Sequence, residues 1–325
     1  MLIRPGIIEH EFVPTSAPGA GGWTRPVDWL ALPDVVEGDE KFVGLYAVYD
    51  YDSNFVALRC RGDYTVDWGD GTIENVADNV TAQHVYDSDD YNTLGKDTEC
   101  SRGYRQAIIT VTPQAGKHLT SLSLNYKHSQ AGLGDYRSQW LDVKLAGALL
   151  SSIIIGANST MLEQCHIVGD LSITSAVSMF ENCYSLQSLP LWDTSSVTNM
   201  RSMCRNCRSI QSLPLWDTSS VTDMSYMCNS CSSLQSLPAF SVANVTDFTD
   251  WVTTCPSLGA APLSGPVVNI SFANCKLARD EIVAIFQGLG TVTGKTVTIT
   301  GNWGIAALSE ADRDIARNKG WTIAE

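Results

Sequence analysis

The amino-acid sequence predicts a β-rich protein in which a β-sandwich is followed by a solenoid of stacked repeats and an α/β end. Residues 41–113 contain short segments rich in β-branched and aromatic residues, separated by Asp and Gly turns. Four cysteines between positions 183 and 255 recur every 24 residues, a period typical of stacked repeats. Residues 279–325 alternate between helical and strand patterns. We therefore expect four regions: an N-terminal arm (1–40), a sandwich (41–113), a solenoid (114–278) and an α/β cap (279–325).

The composition limits the classes of function. The 325 residues include 35 acidic and 21 basic side chains, a net charge of −14, so we expect no nucleic-acid partner. Residues 1–113 hold 19 acidic and 8 basic side chains, and most of the acidic excess therefore lies there. No run of about 18 apolar residues is present, so no membrane insertion is expected. The first residues lack the pattern of a signal peptide, which predicts synthesis in a reducing cytoplasm with free thiols.

Residues 1–40 are predicted to form an extended arm. Pro14–Gly22 is rich in Pro and Gly, which disfavours both helix and strand. We expect this arm to dock onto a partner, and a leader without fixed structure is the alternative.

The sandwich is predicted from strand patterns and turn residues. Lys41–Tyr49, Asn54–Leu58 and Arg105–Thr112 are β-branched and aromatic. Between them lie the motifs W-G-D-G-T at Trp68–Thr72 and H-x-Y at His84–Tyr86. This order resembles the PKD-like (polycystic-kidney-disease-type) immunoglobulin-like sandwich. The resemblance implies a seven-stranded spacer or adhesion module with no chemistry of its own.

Seven aspartates in this region raise the question of a calcium site. Carboxylate-rich loops bind Ca²⁺, but no D-x-D-x-D-G loop with a distal Glu is present. We favour tight-turn geometry as their role and assign no metal and no cofactor. The residues concerned are Asp50, Asp52, Asp67, Asp70, Asp87, Asp89 and Asp90.

The repeat unit predicts a solenoid. Met179–Cys183 aligns with Met203–Cys207 and Met227–Cys231, each 24 residues further on. A unit this short buries its apolar positions only by stacking on its neighbours. The motif D-T-S-S-V-T-x-M, at Asp193–Met200 and Asp217–Met224, resembles the BspA-like leucine-rich repeats over roughly residues 160–260. The resemblance implies a solenoid used for adhesion or protein recognition, on bacterial surfaces and in some phage proteins.

Cysteine and methionine positions are predicted to form the repeat core. The core residues are Cys183, Cys207, Cys231, Cys255, Met203 and Met227. The pairs Cys204/Cys207 and Cys228/Cys231 also have the spacing of a four-cysteine zinc site. The position of Cys204 holds Phe180 one repeat earlier and Val252 two repeats later, which favours a buried apolar role. Structural zinc and disulfides between repeats remain as alternatives.

Positions that vary between repeats are the candidates for binding. Three arginines fall within one repeat of an acidic chain, and they suit an anionic glycan or an acidic neighbouring subunit. The alternative is a solvated face. The candidate binding residues are Tyr184, Arg201, Arg205, Arg208 and Tyr226. Trp192 and Trp216 share one repeat position, and we favour core packing for them over a sugar-binding aromatic ladder.

Residues 279–325 are predicted to close the solenoid. Asp280–Gly290 has apolar residues at helical spacing, and Thr296–Thr300 alternates as a strand. Ser309–Asp312 has the spacing of a capping box before a second helix, and Trp321–Ile323 is a final strand. Such a cap would cover the otherwise open apolar end of the stack.

These patterns predict a non-catalytic protein of the virion. No P-loop, G-x-G-x-x-G, H-E-x-x-H or G-x-S-x-G motif is present, so we expect no enzyme. A sandwich joined to an adhesin-like solenoid, without an export signal, suits a bacteriophage structural protein of the tail-fibre or receptor-binding kind, assembled in the host cytoplasm. Other virion proteins would contact the N-terminal region, a host surface glycan or protein would contact the solenoid, and a homo-oligomer is expected in the particle. A head decoration or collar protein and a bacterial surface adhesin are the alternatives.

Overall fold

The computed structural model of the protein describes residues 23–50, 54–131, 138–156 and 159–325. The protein is β-rich, as the sequence predicts, and contains several sheets. The three α-helices of the described residues are α1 (Ser88–Thr93), α2 (Arg279–Gly288) and α3 (Glu310–Arg317), and two short 3₁₀ helices span Lys96–Thr98 and Ile305–Ala307. The strands are β1 (Lys41–Val48), β2 (Asn54–Arg61), β3 (Tyr64–Asp67), β4 (Ile73–Val76), β5 (Thr81–Tyr86), β6 (Arg105–Pro113), β7 (Ser121–Ser123), β8 (Trp140–Ala146), β9 (Ser152–Ile154), β10 (Gln164–Val168), β11 (Phe240–Ser241), β12 (Leu263–Ser264), β13 (Ile270–Ser271), β14 (Lys295–Thr298) and β15 (Trp321–Ala324).

Two sheets enclose the N-terminal core, and together they form what we call the two-sheet region. One sheet has the strand order β10-β8-β1-β6-β3-β4, and the other has the order β5-β2-β7-β9. Tyr46 of β1 stacks on Tyr86 of β5, with ring centroids 5.9 Å apart. The Tyr86 hydroxyl, which is fully buried, donates a hydrogen bond of 2.6 Å to the carbonyl of Trp68. Aromatic side chains therefore join the two sheets, and the buried hydroxyl has a partner.

Strand β1 is buried on both faces. Phe42 and Tyr46 point into the core between the sheets, whereas Val43 and Leu45 belong to a second apolar cluster on the opposite face. Because neighbouring side chains of a strand point to opposite faces, both faces must be covered. This double burial explains why β1 is almost uninterrupted in apolar residues.

The described part of the predicted arm covers that second face. Trp29, Leu32 and Val35 are buried in the second cluster. The Trp29 indole donates to the Tyr104 hydroxyl at 3.1 Å, and the Arg25 guanidinium lies 2.8 Å from the buried Asp142 carboxylate. Residues 23–39 of the predicted docking arm thus pack on this chain's own sheet, and residues 1–22 of that arm lie outside the described residues.

Both sheets include strands that follow residue 113. Strand β8 pairs antiparallel with β1, and β7 pairs antiparallel with β2. Strand β9 then lies parallel to β7, and β10 lies parallel to β8. The division at residue 113 stays a prediction about domains, but hydrogen-bonded pairing crosses it.

Beyond β10, units of the predicted repeat length stack in register. Parallel bridges connect Ser175 to Asn199 and Asn199 to Asp223, which are equivalent positions of successive units. Alternate amides donate to the next unit: Ala176 N–H to the Asn199 carbonyl and Phe180 N–H to the Met203 carbonyl, each at 2.8 Å. Each unit therefore satisfies the backbone groups of its neighbour.

Two backbone positions in each unit are left-handed. Asn182 and Asn206 both have a φ of 63°, a conformation that Asn adopts more easily than most residues. The same position holds Ser230 and Thr254 in the two units that follow. The other left-handed position holds Ser178, Ser202, Tyr226, Asp250 and Asn274. This repeated turn lets the chain reverse direction over a short stretch and place Met and Cys side chains inward.

The repeat units between β10 and β11 pair through single bridges instead of extended strands. From residue 169 to residue 239, all of which the structure describes, only single bridges form, such as Ser212 to Ser236. Pro214 and Pro238 follow shortly after these positions, and proline has no amide hydrogen to extend a ladder.

The predicted core residues of the repeats are buried. Met203, Met227, Cys183, Cys207, Cys231 and Cys255 have no exposed surface. They belong to one apolar cluster that also includes Phe42 of β1 and Trp321 of the C-terminal end. The two-sheet region, the stacked units and the C-terminal elements therefore share one continuous core.

The C-terminal elements lie at the far end of this core. Strands β13, β14 and β15 form a parallel sheet, with α2 and α3 packed together beside it. The predicted capping box is present: the Ser309 hydroxyl accepts the Asp312 amide, and the Asp312 carboxylate accepts the Ser309 amide. Arg279 donates to the same Asp312 carboxylate at 2.7 Å, which ties the start of α2 to the start of α3.

A matched pair of leucines within one repeat tests the packing. Leu186 is fully buried, whereas Leu191 is 67% exposed. We expect Leu186→Ala to lower the free energy of unfolding by about 2–5 kcal/mol, because it leaves a cavity. Leu191→Ala should change it by about 0.5 kcal/mol or less. Urea denaturation measures both, and equal losses for the two variants would contradict this packing.

Candidate functional site

The candidate site is a surface of arginines and tyrosines that spans three successive repeat units. It comprises Tyr184, Arg201, Arg205, Arg208 and Tyr226, and we call it the Arg–Tyr surface. Backbone hydrogen bonds between units position these residues. Ser202 N–H donates to the Ser225 carbonyl at 2.9 Å, and Asn206 N–H donates to the Asn229 carbonyl at 2.8 Å.

Two arginines surround the ring of Tyr226. The guanidinium carbons of Arg201 and Arg205 lie 5.5 Å and 5.8 Å from its centroid. Both distances are within the range of cation–π attraction. The structure thus brings together three of the five predicted residues around one aromatic ring.

The other two predicted residues form a second contact. The Arg208 guanidinium carbon lies 4.6 Å from the centroid of Tyr184 in the preceding unit. Arg208 is exposed, and Tyr184 is half-buried. Each tyrosine therefore holds at least one arginine of a neighbouring unit in place.

Acidic neighbours neutralise part of this positive charge. The Arg205 guanidinium donates to the Glu181 carboxylate at 3.2 Å. Hydrogen bonds from Thr249 hold the pKa of Asp247 below its usual value, and the positive charge of Arg201 adds to this effect. Arg201 and Arg208 are exposed, so their guanidinium groups can donate to a carboxylate, sulfate or phosphate group.

Tyr226 stands in a strained backbone position. Its φ is 57°, whereas the equivalent positions hold Ser178, Ser202, Asp250 and Asn274. A bulky side chain in this region is uncommon and raises the backbone energy by roughly 1–2 kcal/mol. Strain of this kind occurs most often where a side chain is needed for function.

The two repeat tryptophans lie inside the fold. Trp192 and Trp216 are 6% and 2% exposed, and their ring centroids lie 5.3 Å apart. The Trp216 indole donates to the Pro190 carbonyl at 3.2 Å. Their faces are not open to a sugar ring, and the exposed apolar residues here are instead Leu191 and Leu215, each 67% exposed.

The repeat cysteines make hydrogen bonds to the backbone. The Cys207 thiol donates to the Phe180 carbonyl at 3.1 Å, and the Cys231 thiol donates to the Cys204 carbonyl at the same distance. Burial raises the pKa of Cys204 to about 11. Zinc binds thiolates, and this environment favours the protonated thiol.

One group of possible metal ligands occurs among the described residues, and it lies in the two-sheet region. Asp70, His84 and Asp90 bring their donor atoms within 4.8 Å of one another. The sequence presents Asp70 and Asp90 as possible calcium ligands and His84 as part of the H-x-Y motif, but no local pattern combines the three. Two of the three residues can be recognised from sequence motifs: Asp70 is the aspartate of W-G-D-G-T, and His84 is the histidine of H-x-Y.

Comparisons with known proteins concern the repeats alone. Residues 164–263 match the model of a family described as a Mycoplasma protein of unknown function, DUF285. The match covers less than a third of the chain and includes the whole Arg–Tyr surface. No curated protein and no solved structure matches the chain significantly. Among the residues that the structure describes, no helix is long and apolar enough to cross a bilayer.

The reactivity of the thiols tests the environment of the cysteines. All ten cysteines are free and buried, and burial raises the pKa of Cys60 and Cys275 to about 12. At pH 8 we expect almost no reaction of the native protein with Ellman's reagent, and reaction of all ten thiols in guanidinium chloride without reductant. Fewer than ten reactive thiols after denaturation would point to disulfides, and a count restored by a chelator would point to zinc.

Proposed function

We propose that this chain is a non-catalytic structural protein of a bacteriophage virion, of the tail-fibre or receptor-binding type, whose Arg–Tyr surface binds an anionic group on its target. The observation that carries the proposal is the contrast between constant, fully buried positions and variable positions outside the core of the repeats. Cys207 and Cys231 occupy one buried position, whereas Tyr184, Arg208 and Ser232, which each directly follow a repeat cysteine, differ.

The fold that we propose is a PKD-like sandwich carrying a BspA-like leucine-rich repeat solenoid with an α/β cap. Two sheets that share an aromatic core support the sandwich. Parallel bridges between equivalent positions of successive units support the solenoid. A sandwich presents clusters of loops at its two ends, and a solenoid presents an extended face, so both architectures provide binding surfaces on a rigid support.

The uneven distribution of charge along the chain favours an anionic target for the Arg–Tyr surface. Most of the acidic excess belongs to residues 1–113, and three arginines lie close together on the repeats. Repulsion by the acidic surface would disfavour random contacts with anions, so binding would be confined to the exposed Arg201 and Arg208 and their neighbours. A carboxylated or sulfated host glycan, or an acidic surface protein, has the matching chemistry.

A bacterial surface adhesin is the second candidate. The family match to a Mycoplasma protein favours it, because that family is named for a bacterium. The same surface would then bind a host or a neighbouring cell. A head decoration or collar protein would have the same fold, and its place on the particle distinguishes it from a tail fibre.

Localisation and competition separate these functions. Particles are purified from a lysate of the cells that produce this chain and are labelled with gold-conjugated antibody against it. We expect label at the tail, and soluble protein should compete with particles for adsorption to the host cells. Label on the head without competition would favour the decoration role. Absence from the particles together with label on the cell surface would favour the adhesin.

Variants of the Arg–Tyr surface test the binding residues in the same competition assay. Tyr226→Asn relieves the left-handed strain and loses two weak cation–π contacts, so its free energy of unfolding should stay equal or rise by up to about 1 kcal/mol. We expect this variant and the double variant Arg201→Gln/Arg205→Gln to compete at least about tenfold less well. Arg317→Gln in α3, which removes one exposed arginine outside the Arg–Tyr surface, is the control for the loss of positive charge. Full competition by the surface variants would exclude the Arg–Tyr surface as the binding site.

A further inference from the structure

A compact group of metal-ligand side chains lies at one end of the two-sheet region, apart from the Arg–Tyr surface. Asp70 lies in the turn between β3 and β4, His84 lies in β5, and Asp90 lies in the first turn of α1. Their donor atoms are within 4.8 Å of one another. Three separate segments of the chain thus converge on one point.

The aspartate and histidine of this group are held in place before any ion binds. Asp70 Oδ2 lies 2.6 Å from His84 Nε2, and the Thr72 amide donates to Asp70 Oδ1 at 2.8 Å. The Asp70 side chain has no exposed surface, and the His84 side chain is 13% exposed. Two neighbours thus fix the Asp70 carboxylate, and it can rotate little.

Aromatic contacts fix the imidazole ring. Trp68 stacks on His84 with ring centroids 5.0 Å apart and an interplanar angle of 13°. Tyr86 contacts the same ring edge-on at 4.6 Å. A ring held on two sides presents its nitrogens in one orientation, as metal-ligating histidines require.

Asp90 adds a second carboxylate that faces the pair. Its Oδ2 accepts the Asp87 amide at 3.2 Å as part of a capping box, and a carboxylate has further lone pairs for a cation. Among the residues described, neither Asp70 nor Asp90 forms an ion pair with a lysine or arginine. Two carboxylates beside one imidazole leave a negative charge that a divalent cation would balance.

We propose that Asp70, His84 and Asp90 bind one divalent transition-metal ion of the Zn²⁺ class. An imidazole with two carboxylates suits this class, whereas Ca²⁺ takes six to eight oxygen ligands. Ligand distances of about 2.0–2.2 Å place tetrahedral donor atoms about 3.4 Å apart. Asp70 Oδ2 and His84 Nε2 lie 2.6 Å apart, so the ion would replace their hydrogen bond and move these two atoms apart by about 0.8 Å. Water would complete the coordination. The ion would join the β3–β4 turn, β5 and α1.

Cobalt substitution tests this site and distinguishes it from the cysteines. The full chain, freed of metal with a chelator, is titrated with Co²⁺ and with Zn²⁺, followed by absorption and by calorimetry. We expect one ion per chain and no intense sulfur-to-cobalt band in the near ultraviolet. Absence of saturable binding, or a spectrum with that band, would overturn the proposal.

A pair of neighbouring aspartates in α1 provides the matched control. Asp90→Asn should weaken Zn²⁺ binding by at least about tenfold. Asp89→Asn removes the same charge at the adjacent, exposed position, and binding should stay within about twofold. Equal weakening by both variants would show a diffuse acidic surface instead of a site.

A measurement on the wild-type protein guards against misfolding of a variant. Titration with paramagnetic Mn²⁺ should selectively broaden the NMR signals of the His84 ring and of the Asp70 and Asp90 amides. Broadening centred elsewhere, or spread over all acidic residues, would contradict the site without the use of any substitution.

Discussion

Backbone hydrogen bonds between successive repeat units determine where the buried and exposed side chains of the repeats lie. Thr198 N–H donates to the Thr174 carbonyl and Thr222 N–H donates to the Thr198 carbonyl, each at 2.8 Å and each across one full repeat. Other amides of each unit donate to a carbonyl of the following unit, as the Ala176 N–H does to the Asn199 carbonyl. A slip of one residue would move Cys207 and its equivalents out of the core, and the left-handed turns would fall on residues unsuited to them. The stacking register thus fixes both the buried cysteine positions and the order of side chains on the surface.

The same register connects the repeats to the two-sheet region. The β7–β9 pairing is parallel, like the bridges of the repeats, although β7 also pairs antiparallel with β2. One apolar cluster runs from Phe42 to Trp321, so the two-sheet region and the repeats share their core. The proposed binding surface therefore stands on a continuous support, which lowers the entropy lost when a target binds. Tyr226 is held in its left-handed conformation by the same stacking, because its amide donates to the Thr249 carbonyl of the next unit at 2.8 Å.

The sequence predicts best what repeats or what depends on neighbours in the chain. The repeat period, the burial of Met203 and Cys207 and the capping box at Ser309 all follow from local patterns. The cover that Trp29 provides over β1 was not predicted, because one aromatic residue in a proline-rich segment carries no period. The pairing of β8 with β1 joins segments that lie far apart in the chain and leaves no local signal. Asp70, His84 and Asp90 belong to the β3–β4 turn, β5 and α1, and only the packing of these three segments brings them together.

Hydrogen exchange of the native protein, followed residue by residue by NMR, tests the stacking register most directly. We predict slow exchange at alternate amides of each unit, because each donates to a carbonyl of the next unit. The amides concerned are those of Ala176, Ser178, Phe180 and Asn182 in one unit and of Met200, Ser202, Cys204 and Asn206 in the following unit. Protection should be lost for all of these amides in one cooperative step as denaturant is added. Fast exchange at these amides, or loss of their protection in independent steps, would contradict the stacked structure and with it the proposed binding surface.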